Sequence, residues 1–345
     1  MKKTCDIVIC IWNNLEVTRD CIESIYKNTA YPYYRLVLID NASDEPTKSY
    51  LESIKNDPRF NVILIRNEEN LGNTKAVNQG LKASDAAYVC NLDNDTYVTD
   101  GWLSEMITIA ESDPTIGIVA PGRKGGQPLT SNSIIDIEAK AKDIAQRKGQ
   151  QREMALIDCF CALIKREVIN TVGLWDEIYS PGYYDDSDYC RRTVAHGYKL
   201  VCALGAYVYH REGGSFKKRN KFRDEIFARN QKIYNERYGE SKRILYVIDH
   251  LNKHMDQICA DILQQARQTN WVWINQKISL ASLPLTAHSH INIVRYTPFF
   301  FTLRNFFKII FRKKKFNDIY ADNSFLLRLL AITKPFHRAN VTKIK

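Results

Sequence analysis

Residues 86–98 read AAYVCNLDNDTYV, an apolar run that ends in two carboxylates one residue apart. The run from Ala86 to Leu92 is continuous rather than alternating, which is typical of a strand buried on both faces of a parallel sheet. Asp93 and Asp95 follow it at once. An acidic turn is often only a solvated loop, but two such carboxylates can also hold a divalent cation and leave positions open for phosphate oxygens.

The residues before this stretch repeat the same unit, an apolar strand followed by a helical pattern. The further predicted strands are Asp6–Trp12, Arg35–Asp40 and Asn61–Arg66. The amphipathic stretches between the strands predict helices over Glu16–Lys27, Thr47–Lys55 and Thr74–Ala83. This alternation predicts an α/β fold with a doubly wound sheet.

Polar residues follow the carboxyl end of every predicted strand. They are Asn13 and Asn14, Asp40 and Asn41, Asn67, and finally Asp93, Asn94 and Asp95. Doubly wound sheets bind ligands outside the carboxyl ends of their strands. The pattern therefore favours a binding site at this edge over a set of ordinary turns.

Charge and glycine content both change near residue 240. The chain of 345 residues has a net charge of +10. Residues 240–345 hold 17 Lys and Arg against 6 Asp and Glu, whereas residues 1–239 hold 32 against 33. All 15 glycines lie at or before Gly239. These shifts predict one domain over residues 1–240 and a basic module over residues 241–345.

Cysteine usage and hydropathy indicate the compartment. Nine cysteines lie scattered, mostly in apolar runs, which favours buried free thiols in a reducing compartment. A zinc site would need a second cysteine cluster, and the sequence shows none. The apolar stretches fall short of the roughly 20 residues of a membrane span, and no cleavage site follows the N-terminal apolar run. We therefore expect a cytoplasmic protein.

A second α/β stretch covers residues 155–239. It predicts a strand over residues 155–165, a helix near Asp185–His196, a strand pair around residues 198–210 and a helix from about Lys221 to Tyr238. Residues 121–154 have weak periodicity and predict a mobile connection near the site.

Two more segments carry chemistry. The loop ENLGNTKAVNQG (69–80) leads through Gly72 into a helix with Lys75 and Asn78, and a helix N-terminus beside a lysine suits a diphosphate. An ordinary capped helix start is the alternative. Asp185, Asp186 and Asp188 lie within four residues, and such acids repel one another unless a cation or an arginine is near. Arg191 and Arg192 follow within a helical turn and can neutralise part of this charge.

Taken in order, these segments resemble the family 2 glycosyltransferases with a GT-A fold. The resemblance covers about residues 4–240. The similar motifs are DIVICIWNN, LIDNASDE, ENLGNTKAVNQG, LDNDT, GLWDEIYSPGYYDDSDYCRR and YVYHREGGS. The chain departs from the family where Cys10, Ile11 and Trp12 replace a Pro-Thr-Tyr-like sequence and where Asp185 replaces a Glu.

The resemblance implies a role for each matching residue. It implies a catalytic base at Asp186, and a metal site for Mn²⁺ or Mg²⁺ at Asp95 and His210. The implied nucleotide-binding residues are Trp12, Asp40, Asn70, Lys75 and Asp93. Trp175 and Asp185 are implied to contact the donor sugar or the acceptor.

The basic module begins with RILYVIDHL (243–251), a strand pattern followed by a predicted helix around Asp256–Gln268. Further predicted strands lie at residues 271–275, 290–296 and 317–323. This order resembles the start of a GT-B glycosyltransferase N-terminal half, without its glycine-rich loop, and indicates a truncated or degenerate module with a binding role. A plain helical extension is the alternative.

Within the module, PFFFTLRNFFKIIFRKKK (298–315) places Arg304, Lys308 and Arg312 at spacings of four beside a broad Phe/Ile face. The pattern is typical of a helix at an anionic membrane surface, and equally of a packed helix with a basic solvent face. Nucleic-acid binding is not expected, because no recognised motif accompanies the charge.

These observations predict an inverting, metal-dependent glycosyltransferase. We expect a UDP- or dTDP-sugar donor and a glycan or lipid-linked acceptor in bacterial surface polysaccharide synthesis, on the inner face of the membrane. A sugar-nucleotide pyrophosphorylase would need a basic glycine-rich loop after the first strand, where the chain reads IWNNLEV. A catalytically inactive carbohydrate- or membrane-binding protein with a GT-A-like fold is the alternative from another class.

Overall fold

The computed structural model describes residues 4–30, 34–122, 133–211, 221–250 and 254–344. The chain divides into two compact units, one formed by Met1–Arg152 with Leu156–Tyr238 and the other by Glu153–Ala155 with Gly239–Lys345. None of the helices in these ranges is both long enough and apolar enough to cross a bilayer.

The first unit, with β7 reaching two residues beyond its boundary at Arg152, contains the strands β1 Cys5–Ile11, β2 Tyr34–Asp40, β3 Val62–Arg66, β4 Tyr88–Leu92, β5 Thr96–Val98, β6 Ile116–Pro121, β7 Gln151–Met154, β8 Cys161–Lys165, β9 Lys199–Ala203 and β10 Val208–His210. Its helices are α1 Leu15–Asn28, α2 Glu45–Lys55, α3 Asn73–Ala83, α4 Trp102–Glu111, α5 Ile134–Ala145, α6 Arg166–Val172, α7 Asp185–Ala195 and α8 Lys221–Tyr238.

Eight of these strands form a sheet in the order β3-β2-β1-β4-β8-β6-β9-β7. The first four of that order run parallel to one another, as their continuous apolar sequences predict. Strand β1 is buried along nearly its whole length, because helices cover both faces of the sheet. The predicted α/β architecture is therefore confirmed, and the carboxyl ends of β1 to β4 meet at one edge.

Two details differ from the sequence predictions. Strand β8 covers only the end of the predicted strand 155–165 and runs antiparallel to both β4 and β6. The segment before it bonds to side chains and loops instead: the carbonyl of Cys159 accepts from Asn91 Nδ2 at 2.5 Å, and that of Phe160 accepts from the Asp93 amide at 2.7 Å.

The predicted mobile connection over residues 121–154 contains helix α5, which the weak periodicity did not indicate, while residues 123–132 lie outside the described ranges. Ser133 caps this helix by accepting from the Asp136 amide. Ile137 and Ile144, seven residues apart, form a narrow apolar stripe and pack in one cluster with Tyr97. A stripe this narrow in a helix with five charged side chains gives a weak periodic signal, so the sequence did not indicate the helix.

The second unit contains strands β11 Arg243–Ile248, β12 Trp271–Lys277, β13 Ile291–Tyr296, β14 Asp318–Ala321 and β15 Asn340–Lys343. Its helices are α9 Met255–Arg267, α10 Phe301–Phe311, α11 Ser324–Ile332 and α12 Lys334–His337. The five strands are all parallel, in the order β13-β12-β11-β14-β15. The module is thus an α/β unit, and the alternative of a helical extension is wrong.

Candidate active site

A two-stranded ribbon brings His210 to the acidic turn after β4. Strands β5 and β10 pair antiparallel with His210 opposite Thr96, the residue after Asp95. The Nε2 atom of His210 lies 3.0 Å from Asp95 Oδ1 and 3.7 Å from Asp93 Oδ2. One ligand atom from each of the three residues falls within 4.8 Å of the others. The two predicted metal ligands and Asp93 therefore converge on one point.

The His210 ring rests on a side chain that the sequence analysis missed. Phe160 stacks on it with ring centroids 4.8 Å apart and planes within 3°. The same residue accepts the Asp93 amide through its carbonyl. Phe160 thus helps to position both His210, through its ring, and Asp93, through its carbonyl. The sequence gives no sign of this role, because an aromatic residue between two cysteines is not a recognisable motif.

The acidic cluster has the electrostatics of a cation site. Burial raises the pKa of Asp93 to about 7; the charges of Asp95 and Asp185 raise it as well, while His210 opposes them. A divalent cation would reverse this balance by stabilising the charged carboxylates. Two carboxylates and an imidazole are suitable ligands, so the residues present fit a divalent metal ion.

The acid pair, Asp185 and Asp186, lies in the first turn of α7. Asp185 is buried, and its Oδ2 accepts a hydrogen bond from Thr74 Oγ1 at 2.7 Å. Burial raises the pKa of Asp185, and the Thr74 hydrogen bond opposes that rise. Asp186 is half-buried and accepts the Ser187 amide at 2.6 Å. Burial, and then the neighbouring charge of Asp185, raise the pKa of Asp186 to about 6.

Asp188, the third acid of this helix, belongs to a separate network. It is fully buried and accepts from Arg192 Nε at 2.7 Å, Arg237 Nη1 at 2.6 Å and the Tyr238 hydroxyl at 2.7 Å. Arg191 instead lies over the Tyr238 ring. Arg192 and Arg237 thus neutralise Asp188, which relieves part of the repulsion expected among the three acids.

The start of α3 is joined to the segment that precedes the acid pair. Asn73 donates its amide to the Pro181 carbonyl at 2.8 Å. Gly72 has a φ of +81°, and a Cβ added there would lie 2.7 Å from Pro181 Cα. The loop before α3, which was predicted to bind a diphosphate, is therefore fixed against the segment that leads into α7. Glycine is required at position 72, where the backbone approaches Pro181 most closely.

Two buried asparagines hold the same segment from other sides. The Asn78 side chain donates to the Trp175 carbonyl at 2.9 Å and accepts the Trp175 amide at 3.0 Å. Asn230 on α8 donates to the carbonyls of Tyr179, Gly182 and Tyr183. These contacts hold a loop in which Tyr183 and Tyr184 both adopt positive φ, a strained conformation that persists only where the surroundings impose it.

The predicted nucleotide-binding residues lie along the carboxyl edge of the sheet and differ in their exposure to solvent. Trp12 is 44% exposed just beyond β1, and Lys75 is exposed in the first turn of α3. Asp40 is buried, with one oxygen accepting the Ser43 amide at 2.9 Å and the other accepting Arg66 Nε at 2.8 Å. Each oxygen keeps a second lone pair that could accept from a ligand.

Asn70 and Trp175 are positioned by internal contacts. The Asn70 Oδ1 accepts from Asn41 Nδ2 and from the Gly72 amide, both at 2.9 Å, so this side chain shapes the loop before α3. Trp175 is buried and its ring packs on Tyr189. Its indole Nε1 is also buried and has no hydrogen-bond partner among the described residues.

Comparison with known proteins matches this architecture. The sequence model described as "Glycosyl transferase family 2" matches residues 6–173, which contain the first strands, the α3 loop and the acidic turn. Residues 6–173 of the first unit are thus similar to the family 2 glycosyltransferases. This similarity supports a glycosyltransferase domain, and the mixed α/β sheet of the unit has the GT-A architecture.

Two curated relatives extend over part of the chain. The Sinorhizobium fredii protein called "Uncharacterized protein y4gI" is 28% identical over 244 residues, covering 64% of this chain and 26% of the relative. The poly-beta-1,6-N-acetyl-D-glucosamine synthase of Staphylococcus epidermidis is 24% identical over 172 residues, covering 49% of this chain and 41% of the relative. The chain thus spans less than half the length of these two relatives.

Among solved structures, GalNAc-T7 crystallised with UDP, GalNAc and Mn²⁺ is similar in fold. It superposes with a TM-score of 0.54 at 18% identity, over 67% of this chain and 48% of that one. At this identity the likeness shows the fold alone.

Proposed function

We propose that the first unit transfers a sugar from a nucleoside-diphosphate sugar to an acceptor hydroxyl by single displacement with inversion. The convergence of Asp93, Asp95 and His210 beside the acid pair is the observation that carries this proposal. The set provides a cation site for a diphosphate and, next to it, a carboxylate able to take a proton.

Asp186 is the group we assign as the base. The acceptor oxygen forms a bond to the anomeric carbon, the bond from that carbon to the diphosphate oxygen breaks, and Asp186 takes the hydroxyl proton. Its raised pKa of about 6 keeps it ionised at neutral pH yet close enough to that pH to accept a proton efficiently. No second carboxylate is needed as a nucleophile, so inversion at the anomeric carbon follows. NMR of the first-formed product anomer tests this, and retention of the donor configuration would exclude it.

The cation we assign to Asp93, Asp95 and His210 is Mn²⁺ rather than Mg²⁺. Mg²⁺ is a hard ion that binds oxygen ligands in a strict octahedron, and an imidazole nitrogen suits it poorly. When bound, the ion would stabilise the negative charge of the leaving diphosphate. The chain's own contribution is to hold two carboxylates and one ring nitrogen within reach of one another.

For the donor we propose a UDP-sugar, with a dTDP-sugar as the second choice. The structurally similar GalNAc-T7 binds UDP, and the staphylococcal relative is named for a polymer of N-acetyl-D-glucosamine. That relative also supports an acceptor of glycan or lipid-linked type in bacterial surface polysaccharide synthesis. We place the protein in the cytoplasm at the inner face of the membrane, because residues 240–345 carry 17 basic and 6 acidic residues.

A thermal-shift panel tests the proposal. UDP, dTDP, GDP, CDP and CMP are each added with and without Mn²⁺, and a nucleotide at about 100 times its Kd adds roughly 2.7 kcal/mol of stability. We expect UDP to stabilise the protein strongly only with Mn²⁺. Equal shifts with and without the ion would contradict the metal-dependent site, and the absence of any shift would favour a catalytically inactive binding protein.

A further inference from the structure

The second unit contains a cavity that the sugar-transfer chemistry does not use. It has a volume of about 240 Å³ and lies between the sheet and helix α10. Trp273 on β12, Tyr296 on β13 and Phe316 give it aromatic walls, while Lys308 of α10 and Arg312 directly after the helix line it with cations. Asn275 also lines it but is engaged, since its Nδ2 donates to Asn305 Oδ1 at 2.6 Å.

Four cationic side chains gather on these aromatic rings. The guanidinium groups of Arg243 and Arg312 lie 4.5 and 4.9 Å from the Trp273 ring centroid. The Arg304 guanidinium and the Lys308 ammonium lie 4.5 and 4.6 Å from the Tyr296 ring centroid. Aromatic faces attract cations but do not neutralise them, so the positive charge of the cluster remains.

In the part of the chain that the structure describes, no carboxylate pairs with these four cations. Residues 262–317 contain no Asp or Glu but nine Lys and Arg. Within the described ranges, none of the four cations lies within 4.0 Å of an acidic oxygen, and Arg243 Nε is buried there without a hydrogen-bond acceptor. Arg243 and Arg312 are partly buried, whereas Arg304 and Lys308 are exposed. Partly buried cations without counter-charges are costly, and an anion in the cavity would relieve that cost.

The outer face of α10 indicates what carries the anion. Leu303, Phe307 and Phe311 recur every four residues on this helix and are 39%, 52% and 78% exposed. Phe299 and Phe300, just before the helix, are 77% and 64% exposed. Soluble surfaces rarely present so many large apolar side chains together, and such patches mark interaction sites.

The two features are neighbours around the helix axis. At 100° per residue, the basic stripe of Arg304, Lys308 and Arg312 lies between the buried face and the exposed apolar stripe. A helix lying in a bilayer interface needs this arrangement, with aromatic side chains towards the acyl chains and cations at the level of the phosphates. A packed helix with a merely solvated basic face would not expose a phenylalanine stripe as well.

We propose that this cavity binds the headgroup phosphate of an anionic membrane lipid while the α10 phenylalanine stripe inserts at the interface. Lys308 and Arg312 contact the phosphate, with Arg243 and Arg304 adding charge from behind. The site lies wholly in the second unit and is independent of the sugar-transfer chemistry, so either can fail without the other. A lipid surface is favoured over nucleic acid because the exposed stripe from Leu303 to Phe311 is apolar along about two and a half helical turns.

Vesicle co-sedimentation of the full chain tests the proposal. Vesicles contain phosphatidylcholine alone, or phosphatidylcholine with one part in four phosphatidylglycerol. The test variant K308Q/R312Q removes two cavity cations, and F307S/F311S removes the outer end of the apolar stripe. The control K55Q/K82Q removes the same charge from two exposed lysines of the first unit. All variants must keep the wild-type Tm and the wild-type UDP-dependent thermal shift.

We expect wild-type protein and the control to bind anionic vesicles alike. The cavity variant should bind roughly ten- to thirty-fold more weakly, as expected for two cations at the membrane surface. The stripe variant should lose binding that persists at high salt, because apolar insertion is not screened. Equal binding by the cavity variant and the control would overturn the proposal, as would equal binding of wild type to neutral and anionic vesicles.

Two further arms distinguish other sources of the same anion. Inorganic phosphate and a single-stranded oligonucleotide are titrated calorimetrically into the wild type and K308Q/R312Q. Weak or no binding of either supports the lipid assignment. Binding of one of them that depends on Lys308 and Arg312, without binding to anionic vesicles, would replace the lipid with a soluble phosphate or a nucleic acid.

Discussion

Thr74 and Asp185, 111 residues apart, are joined by a buried hydrogen bond of 2.7 Å from the threonine hydroxyl to the carboxylate. This bond ties the first turn of α3 to the first turn of α7. The loop that leads into α3 and the acid pair therefore keep a fixed relation in the folded protein. The sequence does not reveal this pairing. Thr and Asp are both common at helix starts, and the two residues lie far apart in the chain.

Replacing Thr74 by Val should lower the free energy of unfolding more than such a small change in side-chain volume would suggest. The substitution keeps the shape of the side chain but removes the only side-chain hydroxyl that the structure shows donating to the buried Asp185 carboxylate, a loss of about 1–3 kcal/mol. Urea unfolding should show this loss and transfer assays a lower kcat, whereas Thr74→Ser should retain both properties. Wild-type stability in Thr74→Val would show that the bond does not hold the acid pair.

Asp186 and Asp188 form a matched pair, two residues apart with opposite expected roles. Asp186→Asn removes the base and should lower kcat by about 10²- to 10⁴-fold without changing Tm. Asp188→Asn leaves Arg192 and Arg237 without their buried counter-charge and should destabilise the fold by about 3 kcal/mol. Thermal unfolding and transfer rates separate the two, and full activity in Asp186→Asn would reject Asp186 as the base.

The pH dependence of transfer should report Asp186. Its pKa is raised to about 6 by burial and by Asp185, so the group is ionised above that pH and protonated below it. The rate should therefore be constant above about pH 7 and fall tenfold per pH unit well below 6. Measurements of kcat/KM from pH 5 to pH 8, with nucleotide binding followed in parallel, test this. A flat profile would contradict it.

Gly72 and Gly173 allow a test of close approach. Both have similar backbone angles, with φ of +81° and +85°, but an added Cβ meets Pro181 at Gly72 and nothing within 4 Å at Gly173. Gly173→Ala should cost about 1–3 kcal/mol from the backbone alone. Gly72→Ala should cost clearly more and also lower activity, because Pro181 must move. Similar costs in urea unfolding would show that the contact with Pro181 is unimportant.

Much of the first unit could be predicted from sequence because its signals are local. The apolar runs of β1 to β4 and the helices between them follow from hydrophobic periodicity, and helix α8 begins and ends where predicted, at Lys221 and Tyr238. Polar residues at the strand ends pointed to the edge where the candidate site lies, because parallel strands bring their carboxyl ends together.

What could not be predicted depends on pairing between distant segments. The antiparallel direction of β8, the ribbon that carries His210 to Asp95 and the stacking of Phe160 are set by tertiary contacts. The separate network of Asp188 depends on Arg237, 49 residues away, which spacing does not reveal. Within residues 207–215, which contain the histidine motif, positions 212–215 lie outside the described ranges.

Binding of Mn²⁺ tests the central claim most directly. Free Mn²⁺ is followed by electron paramagnetic resonance while it is titrated into wild type and Asp95→Asn, each with and without UDP. Wild type should bind one ion per chain, more tightly with UDP, and Asp95→Asn should lose at least tenfold in affinity while keeping its Tm. Unchanged Mn²⁺ affinity in Asp95→Asn would show that Asp93, Asp95 and His210 do not form the metal site.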